Sequence, residues 1–126
     1  MSAHTRPGEE LLAGIAERDY ERIAACFGER SWFQVLTPKP AVREHSGPDE
    51  AAERYRFWLE PFDGYELLDG DVAEIADRIR IRYRFRGRDP EKGWQLNEHT
   101  AYAAVEDGRI RAMTLTCAGF RPTTAP

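Results

Sequence analysis

The sequence predicts an α+β fold, with helices gathered in the first half and antiparallel strands in the second. Two stretches of strict alternation carry this. Residues 78–86 read RIRIRYRFR, with an arginine at every second position and Ile79, Ile81, Tyr83 and Phe85 between them. Period two marks a strand with one wet face and one buried face. The same phase returns at residues 97–106, where Asn97, His99, Ala101, Ala103 and Val105 alternate with Glu98, Thr100, Tyr102, Ala104 and Glu106. The earlier half of the chain repeats its apolar residues at helical spacing instead.

Leu11, Leu12, Ile15 and Ala16 form one face of a short helix beginning near Gly8, and Glu9 and Glu10 suit its positive end. Asp19 is the expected N-cap of a second helix, with Tyr20, Ile23, Ala24 and Phe27 at i, i+3, i+4 and i+7 and Gly28 as its stop. SWFQVLT is rich in β formers and reads as a first strand, ended by Pro38 and Pro40, with AVREH as a short second strand. SGPDEAAERYRFWL then opens a third helix. Pro48 suits its first turn, and Ala51, Ala52, Tyr55, Trp58 and Leu59 form its apolar stripe. Beyond Pro61 the expectation is all sheet, at roughly 65–75, 78–87, 94–106 and 109–118. Glu106-Asp107-Gly108 between the last two strands is a tight-hairpin signal, because Asp-Gly accepts positive φ angles. The longer turn from Arg88 to Gly93 holds Pro90 and is expected to be a flexible rim.

With 126 residues, the chain fits one domain, with residues 1–7 and 121–126 as tails. Charged residues make up 32% and hydrophobic ones 41%, which fits a globular protein with a heavily solvated surface. No apolar run approaches the roughly 18 residues of a membrane span. MSAHTRPGEE lacks the apolar core of a secretory signal, so a cytoplasmic location is expected. A net charge of −4 argues against general affinity for nucleic acid. Cys26 and Cys117 have no CxxC spacing, and read as reduced, buried small hydrophobes.

The helix–helix–strand order, LAGIAERDYERIAACF, Gly47 before the third helix and the V-E-D-G-R-I hairpin carry a family resemblance from about Glu9 to Phe120. The chain resembles the SnoaL-like branch of the nuclear transport factor 2-like superfamily. That resemblance implies a cone-shaped (cystatin-like) fold, in which a curved antiparallel sheet wraps around three N-terminal helices and leaves a cavity at the wide end. Family members include polyketide cyclases, ketosteroid isomerase, dehydratases, epoxide hydrolases and non-catalytic binding or assembly modules.

Parity anchored on Val105 and Ile110 places Ala103, Ala101, His99 and Asn97 on the inner face, with Tyr83 and Phe85 beside them. A bulge after Ile110, usual in the family, would add Met113, Leu115 and Cys117. Trp32, Tyr55 and Trp58 are expected contributors from the first strand and third helix. Such a wall, mostly apolar and aromatic with a few polar groups, suits a small-molecule pocket. His99 is the candidate general acid or base, since an imidazole exchanges protons near neutrality. It reads equally as a core histidine bonded to Asn97 or Tyr83. Tyr83 and Tyr55 could donate to a developing oxyanion, or serve as amphipathic wall.

The acidic residues of catalytic relatives have no counterparts here. The isomerase aspartate positions correspond to Gln34 or Val35 and to Ala101, and the cyclase aspartate falls among Thr114, Leu115 and Thr116. His4, His45 and His99 are scattered without carboxylate spacing, so no metal and no cofactor are expected. The arginines of residues 78–86 belong to the outer face, where Glu98 is expected beside Arg82. That face, bearing Arg80, Arg82, Arg84, Glu98, Thr100 and Tyr102, is the expected homodimer contact, as in many relatives. Nucleic-acid and membrane partners are not expected.

Two functions stay open. One is a cofactor-free cyclase, isomerase or dehydratase using His99 on an apolar polyketide- or terpenoid-like substrate. The other is a non-catalytic ligand-binding or dimerisation module.

Overall fold

The computed structural model describes residues 2–39 and 41–126. The elements are α1 (Arg6–Glu17), α2 (Tyr20–Ala25), β1 (Phe27–Thr37), β2 (Ala41–Ser46), α3 (Gly47–Leu59), β3 (Gly64–Ile75), β4 (Arg78–Asp89), β5 (Gly93–Glu106), β6 (Arg109–Cys117) and β7 (Arg121–Pro122). The strands form one sheet in the order β2-β1-β6-β5-β4-β3, with β7 paired to β5. All neighbours are antiparallel except β1 and β6, which run parallel. The architecture is α+β, a curved mixed sheet with three helices on its inner side.

Each element has a local cause. The Asp19 side chain accepts the Arg22 amide at 3.1 Å and starts α2 as expected. That helix stops at Ala25, however, short of Gly28. The Cys26 carbonyl takes the Ile110 amide at 2.8 Å, and Phe27 pairs with Ile110, so the sheet captures Phe27 as the first residue of β1. At the β5–β6 hairpin Asp107 and Gly108 have φ of 53° and 76°, the left-handed pair that Asp-Gly tolerates. Arg111 is the extra residue of the expected bulge: Val105 pairs with Ile110, but Ala104 with Ala112. The two ends hold more structure than expected of tails. α1 begins at Arg6, Pro7 is buried, and Arg121 and Pro122 pair with Leu96 and Gln95.

The inner face of the sheet and the helices share one core, including Leu11, Ile15, Phe33, Tyr55, Ile81, Phe85 and Leu115. Outside, the arginines of β4 find their carboxylates on β3 and the residue before it rather than on β5. Arg84 reaches Asp69 and Arg86 reaches Glu66, both at 2.6 Å, Arg88 reaches Asp63 at 2.7 Å, and Arg82 lies 3.4 Å from Asp71. Glu98 pairs with Arg84, and Thr100 sits opposite Arg82, two residues from the expected register. A bulge at Leu68 makes the acidic ladder possible. It skips one residue, so that Asp69 and Asp71, not Leu68, come opposite the outward arginines.

Candidate functional site

Three side chains from three elements meet inside the sheet. Tyr55 comes from the inward stripe of α3, Tyr83 from β4 and His99 from β5, where it pairs directly with Tyr83. The Tyr55 and Tyr83 hydroxyls lie 2.8 Å apart, and the Tyr83 hydroxyl lies 2.8 Å from His99 Nδ1. All three residues are essentially without solvent exposure. If Tyr55 donates to Tyr83 and Tyr83 to Nδ1, every hydroxyl proton in the chain is used. The imidazole then carries its proton on Nε2, which has no partner among the described residues. The opposite tautomer would leave both Nε2 and the Tyr55 proton unpaired, so the first arrangement is the better one.

Burial sets the charge of this group. Desolvation, with a smaller push from the Arg54 guanidinium, lowers the His99 pKa from 6.5 to about 3. No carboxylate opposes that shift. His99 is therefore a neutral imidazole at physiological pH. Tyr83 and Tyr55 are held well above the usual phenol range by desolvation, so both remain protonated donors.

Aromatic rings close this chain off. The Trp58 ring lies 4.3 Å from the His99 ring between centroids, and Phe85 lies 5.3 Å away. Phe120 packs edge-on against both Phe85 and Phe62, at 5.9 and 5.5 Å. Beside Trp58 a cavity of about 580 Å³ opens, lined by Phe57, Trp58, Pro61, Phe62, Gln95 and Phe120 together with the charged Glu53, Arg56, Glu60, Asp89 and Lys92. Two devices shape this mouth. Arg18, in a left-handed C-cap with φ 53°, donates through Nη1 to the carbonyls of Leu59 at 3.1 Å and Phe62 at 2.8 Å, tying down the end of α3. Gly87 leaves the room that the Phe62 ring fills, since a methyl there would overlap it.

Of the expected pocket residues, only Trp58 borders this cavity. Phe85, Asn97, Ala101, Met113, Leu115 and Cys117 are buried and do not line it. The rings of Tyr55 and Trp58 from α3 and of Phe33 from β1 are buried in the same core. Trp32 is a correction: it is 38% exposed on the outer face. Inward parity in β1 runs through Ser31, Phe33 and Val35 instead. Asn97 does not orient His99. Its oxygen accepts the Glu98 amide at 2.8 Å, and its amide group points to Cys117 Sγ at 3.4 Å. Cys26 is buried and its thiol is pushed up to about 12 by desolvation.

The mouth residues Phe62, Gln95 and Phe120 were not anticipated. Gln95 was legible, because it continues the 97, 99, 101 parity by one step. Phe62 and Phe120 follow a helix-ending proline and the last long strand, where no periodicity marks a side chain as inward. Among the described residues no group of three or more His, Cys, Asp or Glu side chains could hold a metal ion. Among them, too, no helix is long and apolar enough to cross a membrane.

The fold has counterparts among solved structures. A phenazine biosynthesis-related protein from Pseudomonas aeruginosa superposes with a TM-score of 0.66 at 19% identity, over 89% of this chain and 75% of that one. An M. tuberculosis LEH-like epoxide hydrolase gives 0.69 at 14% identity, over 91% and 82%. An NTF2-like protein from Burkholderia xenovorans LB400 gives 0.68 at 10% identity, over 91% and 88%. The chain has the nuclear transport factor 2-like fold. At these identities the likeness concerns the fold alone, which hosts many unrelated chemistries. No protein-family profile and no curated protein sequence matches the chain.

Proposed function

We propose that this nuclear transport factor 2-like protein binds an apolar small molecule, polyketide- or terpenoid-like in character, in the mouth cavity. The observation that carries this reading is the cavity of about 580 Å³, with four aromatic rings in a lining that also carries charged side chains, next to a tryptophan ring that packs on the histidine whose Nε2 is buried and unpaired among the described residues. Its size and lining are those of a pocket for a drug-sized ligand. The structural neighbours, which include a biosynthesis-related protein and an epoxide hydrolase, support a small-molecule pocket. A ligand-shift screen with hydroxyaromatic ketones, lactones and steroids tests it. Binders should lose affinity in Trp58→Ala and Phe120→Ala while circular dichroism stays unchanged. A screen without binders, or binding indifferent to both changes, would overturn the reading.

The unpaired Nε2 favours a second reading, a cofactor-free isomerase, cyclase or dehydratase. Movement of Trp58 would present a ligand oxygen to the neutral His99 N–H, with Tyr83 and Tyr55 supplying the donors behind it. In this reading His99 polarises a ligand carbonyl by hydrogen bonding and water takes the proton released, because a protonated imidazole is not populated near neutrality. His99→Gln would then lower turnover by roughly 10² to 10³, and the wild-type rate would show no histidine inflection between pH 5 and 8. An inflection near pH 6.5 that vanished in His99→Gln would contradict this role and restore a proton-carrying histidine.

The proposed partner is a second copy of the chain. On the outer face Trp32, Leu36 and Tyr102 are 38%, 44% and 48% exposed. Tyr102 pairs with Thr114, and Trp32 with Ala112, so the apolar groups flank neutral strand surface. The β4 arginines beside them are already matched by β3 carboxylates. Light scattering should give a dimer mass that falls to monomer in Tyr102→Glu; a wild-type monomer at micromolar concentration would exclude the contact.

A further inference from the structure

Gln95 lines the mouth cavity, is only 7% exposed, and holds its amide in a direction that its neighbours decide. Its main chain is pinned on β5 by pairing with Pro122 of β7. Its Nε2 donates to the carbonyls of Lys92 at 3.3 Å and Trp94 at 3.2 Å. A flipped amide would set Oε1 against those two carbonyl oxygens and lose both bonds, so the oxygen belongs on the other side. There it has no partner among the described residues, yet it is not sealed. Unlike Nε2 of His99, Gln95 Oε1 retains accessible surface. An amide oxygen accepts up to two hydrogen bonds, and the described residues supply none.

The charged residues of the lining are matched among themselves. Arg56 lies 3.3 Å from Glu53 and 3.7 Å from Glu60. Asp89 accepts the amides of Glu91 at 2.8 Å and Lys92 at 3.0 Å. Those bonds, and then the Lys92 charge, hold its carboxyl below the usual carboxylate range. Three carboxylates against two cations leave no surplus positive charge for an anionic ligand. What stands without a partner is a neutral acceptor in a cavity with aromatic rings. On the reading that the mouth cavity is the ligand site, we propose that Gln95 Oε1 is its polar anchor and selects a neutral ligand bearing a hydroxyl group on an otherwise apolar frame. A hydroxyl satisfies Oε1, whereas an ether in the same place brings a second acceptor and leaves both oxygens unpaired.

Naphthol is the probe, with naphthyl methyl ether as the analogue that lacks the donor. Wild type should bind naphthol roughly fivefold to tenfold more tightly than the ether, the worth of one hydrogen bond. Gln95→Met should bring naphthol down to the affinity of the ether and leave that of the ether unchanged. The chain has two glutamines, Gln34 and Gln95, so the side-chain carbonyl resonances of glutamine-labelled wild type report directly. The Gln95 resonance should move with naphthol and not with the ether, while that of Gln34 stays in place. This measurement needs no variant, so the test survives even if Gln95→Met fails to fold. Equal wild-type affinity for the two probes, an unmoved Gln95 resonance at saturating naphthol, or tighter binding of naphthoate or naphthylmethylammonium than of naphthol would each overturn the assignment. Equal affinities that Trp58→Ala abolishes would leave the mouth cavity as the ligand site and remove only the role of Gln95. Binding of neither probe would remove both.

Discussion

His99 shows how strongly surroundings redirect a residue type. An exposed imidazole titrates near neutrality, but here complete burial without a carboxylate neighbour leaves desolvation unopposed. The linkage sign follows directly. Between pH 6.5 and about 3 the unfolded chain binds a proton that the folded chain refuses. Stability contributed by the neutral imidazole is therefore full above pH 6.5 and is lost as pH falls toward 3. The expected slope approaches about 1.4 kcal/mol per pH unit. His99→Gln should flatten this part of the urea-unfolding profile relative to wild type; a parallel profile would show that His99 titrates as an exposed group. His45, also lowered, contributes with the same sign in both proteins and cancels in the comparison. Tyr83 is the link on which the chain depends, since its hydroxyl meets both neighbours at 2.8 Å. Tyr83→Phe leaves two buried polar groups without a partner, and should destabilise the fold by about 1–3 kcal/mol in chemical denaturation. A loss within error of zero would mean that water or movement satisfies both.

At the scale of elements, the mouth is made where α3 ends and the single glycine of β4, Gly87, faces it. Gly87 faces the Phe62 ring with no room for a methyl group, and Arg18 holds the carbonyls of Leu59 and Phe62. Gly87→Ala should therefore push Phe62 toward the cavity. A stability loss of about 1–3 kcal/mol is expected from overpacking, together with weaker ligand binding. An unchanged unfolding midpoint would mean that Phe62 is free to move. Strand parity was the most legible feature of the sequence. It correctly assigned Ile79, Ile81, Tyr83, Phe85, Asn97, His99, Ala101 and Ala103 to the interior, because alternation is a direct consequence of the pleat. The pairing register was less legible. The β4–β5 hairpin puts Glu98 opposite Arg84, and the bulge at Leu68 brings Asp71 opposite Arg82; single-strand periodicity contains no information about either.

For the molecule as a whole, the same limit explains why the cone was foreseeable and the cavity was not. The family resemblance carried by the order of elements and the V-E-D-G-R-I hairpin implies a curved sheet around helices, whereas the location of empty space depends on which rings fill it. Small residues at Ala101 and Ala103 suggested room, but Tyr55, Phe33 and Trp58 occupy the concave side, and the open volume moves outward to Trp58, Phe62 and Phe120. Ala101→Phe should consequently destabilise the fold by about 1–3 kcal/mol rather than occlude a pocket, and retained stability with lost binding would place a cavity at that wall. The most direct test of the account is a set of intermolecular NOEs from a bound hydroxyaromatic ketone found in the ligand-shift screen. Contacts to the ring protons of Trp58, Phe62 and Phe120 are expected. Contacts confined to the methyl groups of Ala101 and Met113, or to Trp32 and Tyr102 on the outer face, would contradict it.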